Sequence, residues 1–186
     1  MKQQPQHLFN SDVLVDLEKE QPADEKVAFT TGVSPSNPGA NLLLRPLARD
    51  DYEKGFLQLL AQLTTVGEYP KEQFEERFEE MRALKDTYYV CVLEDTTTGK
   101  IIATGTLVVE RKFIRGAAKR GHIEDIVVDS NTRGKQLGKL IIQTLRLLAK
   151  RTGCYKVTLD CSTTNVPFYE KCDFSKEDIH LMTKRF

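Results

Sequence analysis

One stretch constrains this chain more than any other. The apolar strand Ile123-Glu124-Asp125-Ile126-Val127-Val128 runs through residues 129–132 into Arg133-Gly134-Lys135-Gln136-Leu137-Gly138-Lys139, where a long amphipathic helix begins. Leu137, Ile141, Leu145 and Leu148 recur at helical spacing, which predicts a helix from about Lys135 to Thr152. A strand that turns directly into such a helix needs a sheet to pack against, so the unit implies an α/β fold. Glycine lets a backbone approach an anion closely. A helix N-terminus offers N–H groups without intrahelical partners, at the positive end of the dipole. Arg133, Lys135 and Lys139 add charge, and the loop reads as a pyrophosphate site. Gly138-Lys139 looks like the end of a P-loop, but residue 140 is Leu, so the Mg²⁺-binding hydroxyl and the usual glycine spacing are both missing. No GxGxxG fingerprint occurs. A pyrophosphate bound without metal suits coenzyme A; the plain alternative is a turn that merely starts a helix.

The remaining pattern fits one domain of 186 residues. Residues 1–40 read as a partly flexible extension, polar and broken by Pro5, Pro22, Pro35 and Pro38. Within it Ser11 is placed to cap a short helix through Glu18, with Val13, Leu14 and Leu17 on one face; the preferred reading is a loosely held tail, the alternative a docking segment for a partner or membrane surface. The domain proper spans 41–186. Leu42–Leu47 reads as a strand. Asp50 starts a helix carrying Phe56, Leu57, Leu60 and Leu63, and Pro70 opens a second with Phe74, Phe78 and Met81 on its apolar face. Tyr88–Glu94 and Ile101–Glu110 form a hairpin around Gly99. Residues 111–121 read as a basic loop, 121–128 as a fourth strand, 155–160 as a fifth, 165–171 as a short helix and the C-terminus as a final strand. The expected architecture is a single mixed sheet flanked by helices.

Basic and acidic residues balance at 27 each, which argues against a general nucleic-acid binder. Cys91, Cys154, Cys161 and Cys172 form no CxxC pair and have no histidine at metal-ligand spacing, so they read as reduced thiols, and no metal is expected. No apolar run approaches the ~18 residues of a membrane span, and the N-terminus lacks a signal pattern. The expected compartment is the cytoplasm, with a peripheral hold on internal membranes as the alternative the extension leaves open.

The loop, taken with its surroundings, resembles the GNAT N-acetyltransferase superfamily, whose acetyl-CoA loop follows the fourth strand. Arg133 and Gly138 hold that pattern's outer positions, and Gln136 stands where an inner glycine is usual. The closer resemblance is to the family of glucosamine 6-phosphate N-acetyltransferases. It rests on LTTVG (63–67), ERKFI (110–114), GHIEDIVV (121–128), RGKQLGKL (133–140), GCYKVTLDC (153–161) and NVPFYEKCDF (165–174). It implies acetyl transfer from acetyl-CoA to an amino-sugar phosphate on the way to UDP-N-acetylglucosamine, and a homodimer that exchanges C-terminal strands.

Acetyl transfer needs an unprotonated amine, a stabilised carbonyl oxygen and a thiolate able to leave. Glu124 and Asp125 are carboxylates inside an apolar strand, where unpaired charge is costly. Strand alternation points them to opposite faces, so one is expected to serve a site while the other forms a salt bridge; the resemblance implies sugar contacts from both. It further implies that Ile126, Val127 and Val128 face acetyl-CoA, as does the loop Arg133–Lys139 through Gly134, Lys135, Gln136, Leu137 and Gly138. Asn165 would touch the pantetheine arm. The main-chain carbonyl of Asp160 would orient the amine, and Tyr169 would protonate the thiolate. Arg111, Lys112, Arg115, Lys119 and Arg120 read either as a solvated loop or as a phosphate clamp. The resemblance places Lys112, Phe113, Ile114 and Arg115 at the substrate with Thr64 and Arg185, although Arg115 departs from the smaller or imidazole-bearing residue expected there and Asp173 replaces a glycine. His122 reads as structural. No cysteine has a visible activating partner, so direct attack in a ternary complex is expected, without an acyl-enzyme.

Overall fold

Period-two alternation in the central strands divides the apolar residues between two layers. Tyr89, Cys91 and Leu93 join the core formed with the long helix, while Val90 and Val92 join a second core formed with the two N-terminal helices. The computed structural model describes residues 6–22, 29 and 32–186. Five strands, β1 (Leu42–Pro46), β2 (Tyr88–Asp95), β3 (Lys100–Arg111), β4 (Lys119–Val128) and β5 (Cys154–Leu159), lie side by side in chain order. Each of the first four is antiparallel to its neighbours among them, and β5 runs parallel to β4. That parallel pair needs a crossover, which α4 (Leu137–Arg151) supplies. On the opposite face lie α1 (Phe56–Leu60) and α2 (Lys71–Ala83), and a single turn, α3 (Ile114–Ala117), tips the β3–β4 hairpin. α5 (Val166–Glu170) follows β5. No helix among the described residues is long and apolar enough to cross a membrane.

Several boundaries differ from the sequence reading. Asp50 lies in a separate 3₁₀ turn, Arg49–Tyr52, and α1 begins only after Gly55 adopts φ +83°. The basic segment is shorter than 111–121, because β4 starts at Lys119. The expected C-terminal strand does not form: residues 175–186 carry Ile179, Leu181, Met182 and Phe186 exposed, with no sheet edge taking them up. A strand without a neighbour leaves its backbone groups to water and gains nothing over coil.

The extension differs most. Ser11 does not start one helix through Glu18; a 3₁₀ turn, Ser11–Leu14, is capped by the Asn10 side chain, left-handed Asp16 breaks it, and a second turn, Leu17–Glu20, follows. Residues 6–22 are also packed rather than loose. Leu17 is fully buried in the core around α4. Arg151, at the end of α4, donates to the carbonyls of Val13 (3.1 Å), Val15 and Asp16 (2.9 Å) and pairs with Glu20 at 3.2 Å. This cover explains why α4 is buried on nearly every side, Gln143 and Thr144 included. Of the rest of the flexible-tail reading, residues 1–5, 23–28, 30 and 31 lie outside the described residues.

The register of β3 on β4 positions the site. Thr106 opposes Glu124 and Thr104 opposes Val127, so Gly105 alone faces both Asp125 and Ile126. This is a β-bulge, with Asp125 at φ +53°. A Cβ on Gly105 would collide with Ile126 Cδ1 and stand 2.7 Å from Ile141 Cγ2 and 2.9 Å from Leu145 Cδ1. Glycine is what lets the bulge fold against α4. Pairing with β5 ends at Ile123 opposite Leu159, so Glu124 to Val128 extend beyond any β5 partner. Gly105→Ala is therefore expected to lower stability by about 1–3 kcal/mol, the usual cost of overpacking, and to reduce activity with it; denaturant unfolding measures the first and thiol release from the acyl donor the second.

Candidate active site

The bulge overrides strand alternation. Glu124 shares a face with its partner Thr106. Asp125 lines, together with Thr104 and Thr106, a cavity of about 180 Å³ between the sheet, α1 and α2. The expectation that the two carboxylates point to opposite sides therefore fails: the extra residue turns Asp125 back, and both are exposed on the α1–α2 face. Val127 is buried on that face with α1, whereas Ile126 and Val128 pack toward α4.

A compact polar group adjoins these carboxylates. His122 Nδ1 is 3.0 Å from Thr158 Oγ1. Its Nε2 is 3.3 Å from Glu124 Oε1 and 3.6 Å from Asp160 Oδ2. His122 and Thr158 are register partners on β4 and β5, Glu124 is two residues further along β4, and Asp160 directly follows β5. The sequence reading missed this role for His122. The signal was present as the two-residue spacing from Glu124 on a strand, which puts both side chains on one face.

At the far end of β4 the loop has the form an anion needs. α4 starts at Leu137, two residues later than expected, because Gly134 (φ +84°) and Gln136 (φ +60°) are left-handed. Leu140 N–H donates to Gln136 O at 3.0 Å, and no side chain caps the helix. The amides of Leu137, Gly138 and Lys139 thus precede the first intrahelical bond. Leu137 is buried, so it offers only its backbone, while Arg133, Gly134 and Lys135 are exposed. A Cβ on Gly138 would lie 3.5 Å from both Phe168 and Val128, which ties the loop to α5. Amides at a helix start with three nearby cations fit a pyrophosphate.

Tyr169 on α5 is half-buried, its ring 5.1 Å from that of Phe168 and 6.3 Å from that of Phe174. Burial pushes its phenol above the ordinary range, with smaller contributions from Cys161 and Cys172. Asn165 stands at the N-cap position of α5 without a side-chain cap bond, and is exposed. Cys161 is exposed, whereas burial pushes the Cys91 thiol up to about 12 and the Cys172 thiol up to about 11.

The basic loop is less free than its composition suggests. Arg111 donates to Thr87 Oγ1 and the Lys85 carbonyl, and Lys119 to the Thr152 carbonyl at 3.1 Å. Lys112 and Arg120 both pair with Glu110. Arg115, left-handed at φ +54°, stacks its guanidinium 5.0 Å over Tyr155. Phe113 and Ile114 are exposed at the tip. Thr64 follows α1 and Arg185 lies in the C-terminal segment; both are exposed, and neither belongs to the His122 hydrogen-bonded group.

The model of the acetyltransferase (GNAT) family matches residues 48–174. The glucosamine 6-phosphate N-acetyltransferase of Arabidopsis thaliana is 51% identical over 143 residues, which cover 77% of this chain and 95% of that protein. Its crystal structure superposes with a TM-score of 0.75, covering 78% of this chain and 98% of its own at 50% identity. Glucosamine 6-phosphate N-acetyltransferase 1 of Dictyostelium discoideum is 50% identical over 137 residues, covering 74% of this chain and 87% of that protein. A solved Trypanosoma brucei acetyltransferase is 35% identical with a TM-score of 0.70, covering 77% of this chain and 99% of its own.

The thiol environments make a checkable pattern. Iodoacetamide at mildly alkaline pH should modify Cys161 first and spare Cys91 and Cys172 until the protein unfolds, because a raised thiol holds little thiolate; peptide mass spectrometry reads the order.

Proposed function

The chain belongs to the acetyltransferase (GNAT) family, and from that premise we propose that it transfers the acetyl group of acetyl-CoA to the amine of glucosamine 6-phosphate. One observation carries the reading: Glu124 and Asp160 share His122 where β4 leaves β5, Asp125 follows on the same face, and the same strand exits into a cationic helix start. The first set suits an ammonium and sugar hydroxyls, the second a pyrophosphate. Relatives bearing this activity in their names match the chain along most of its length.

Bound acetyl-CoA supplies the electrophilic thioester carbonyl. The backbone of Arg133–Lys139 holds its pyrophosphate at the α4 N-terminus, and Asn165 steadies the pantetheine arm. Past Ile123 the β4 backbone has no β5 partner, so along Ile126, Val127 and Val128 the main-chain N–H groups that point away from β3 are placed to receive the carbonyl oxygen as it gains charge. Glu124 and Asp125 hold the sugar, and the Asp160 carbonyl aims the amine, whose proton leaves on the side where Glu124 and Asp160 stand. Tyr169 donates to the departing thiolate; burial, by raising its phenol, keeps it protonated until the thiolate forms. No cysteine carries the acetyl group. Lys112, Phe113, Ile114, Arg115 and Thr64 form the phosphate side.

The reading includes a homodimer in the cytoplasm. Its support is the exposed apolar C-terminal segment, linked to β5 by Glu177 and Lys156 at 3.6 Å, and four free cysteines, as a reducing compartment keeps them. Exchange of that segment would carry Arg185 to the partner's site.

In an assay of thiol release, glucosamine 6-phosphate should exceed unphosphorylated glucosamine by roughly a hundredfold in kcat/KM, the worth of one or two charge-assisted hydrogen bonds. Equal rates on both sugars would remove the phosphate side of the reading, and no release with either would remove the activity. Tyr169→Phe should lower kcat by about a hundredfold or more with little change in KM for the sugar. A monomer in light scattering at working concentration would overturn the dimer.

A further inference from the structure

Resting on that acetyl-transfer reading, we propose that His122 is a positioning residue: its Nε2–H holds the Glu124 and Asp160 carboxylates in one arrangement at the acceptor-amine site.

The imidazole is anchored on its other side, Nδ1 lying 3.0 Å from Thr158 Oγ1. Nε2 then faces both carboxylates, 3.3 Å from Glu124 Oε1 and 3.6 Å from Asp160 Oδ2. Burial separates the partners: the His122 side chain is 17% exposed, those of Glu124 and Asp160 53% and 52%. The donor is therefore fixed from below, while the acceptors keep most of their lone pairs facing outward. An ionised carboxylate offers about four acceptor positions, so a bond to Nε2–H leaves several for a ligand.

The neighbours also choose the proton's place. A lone pair on Nε2 aimed at two carboxylates would be repelled by both, so Nε2 must carry hydrogen. In the neutral ring the Thr158 hydroxyl donates to Nδ1. In the imidazolium Nδ1–H donates to Thr158, whose hydroxyl turns toward Gly121 O at 3.5 Å. Either way the contact with Glu124 and Asp160 persists. Without a donor between them, two like charges so close would separate into solvent and lose their common aim.

Three variants test this. His122→Leu removes the donor. His122→Gln restores an amide nitrogen three bonds from Cβ, where Nε2 stands. Thr158→Val leaves the imidazole but releases its anchor. The assay varies glucosamine 6-phosphate and acetyl-CoA separately, with calorimetry for acetyl-CoA affinity. His122→Leu should lower kcat/KM for the sugar roughly ten- to a hundredfold, as misplacement of aligned groups does. Its acetyl-CoA Kd should stay within about twofold of the parent, because the loop beyond β4 is untouched. His122→Gln should recover most of the loss, and Thr158→Val should fall between. The proposal is overturned if His122→Leu matches the parent, if His122→Gln is equally impaired, or if acetyl-CoA affinity falls in step with the sugar. Should His122→Leu fail to fold, His122→Gln near the parent with Thr158→Val below it supports the proposal, and the reverse order overturns it. A parent protein that does not acetylate the sugar overturns the functional reading and this proposal with it; an active parent with the wrong variant pattern overturns this proposal alone.

Discussion

Everything at the candidate site depends on the absence of one methyl group. Gly105 lets Ile126 lie across it, on the α4 face of the sheet, beside Ile141 and Leu145. That contact holds the bulge, and the bulge has two effects. It turns Asp125 onto the face that already carries Glu124, and it bends β4 where pairing with β5 stops. A regular strand would put one carboxylate in the α4 core and keep β5 zipped to Val128. Neither arrangement would leave room or free amides for a ligand. Stability and function are thus written into the same contact.

The second constraint is the separation of charge along β4. Negative groups, Glu124 and Asp125, lie toward its end, and positive groups, Arg133, Lys135 and Lys139, follow past its exit, the two joined by one strand and the first turn of one helix. A cationic amine and an anionic pyrophosphate would each find the opposite sign, with apolar Ile126, Val127 and Val128 between them. Concentrating carboxylates has a cost in repulsion, and His122 offsets it locally. The larger buried charge group near the opposite edge of the sheet, at β1, uses the same logic for structure alone. Arg45, almost wholly buried, is bidentate to Asp51 at 2.6 and 2.8 Å and also binds Glu94. There Asp51 is wholly buried and bonded within the fold; around His122 the carboxylates remain open to solvent.

Much of this was legible in sequence, and the misses share a cause. The loop Arg133–Lys139 could be read because its chemistry is local: glycine, cations and a helix start lie within seven residues. Pro70 and the Phe74–Phe78 spacing announced α2 in the same way. What failed to show were effects of pairing between distant segments. The bulge depends on Gly105, twenty residues before Asp125, and alternation gave the wrong face until register was known. His122 gains its role only when β5 brings Thr158 and Asp160 alongside. The extension looked loose because its composition is polar, yet Leu17 and the carbonyls bound by Arg151 dock it on a helix over a hundred residues away. The last strand was expected from apolar content, which marks a segment as wanting cover without saying that its own chain provides it.

That last point bears on the phosphate. Counted by sequence, residues 111–120 hold five cations, more than a sugar phosphate needs. In the folded chain Arg111 and Lys119 are bound to backbone carbonyls, and Lys112 and Arg120 share Glu110. To bind a dianion, Lys112 must exchange one anion for another, which yields less than recruiting an unpaired cation. Arg115 is stacked on Tyr155 but keeps its guanidinium edge available. The remaining basic group of the reading, Arg185, sits on the exposed C-terminal segment, which this chain alone does not fold into its sheet. A second chain taking up that segment along β5 would bury Ile179, Leu181 and Met182 and bring Arg185 toward the exposed tip at Phe113 and Ile114. On this reading one act of assembly covers an apolar surface and completes a charge balance that a single chain leaves short.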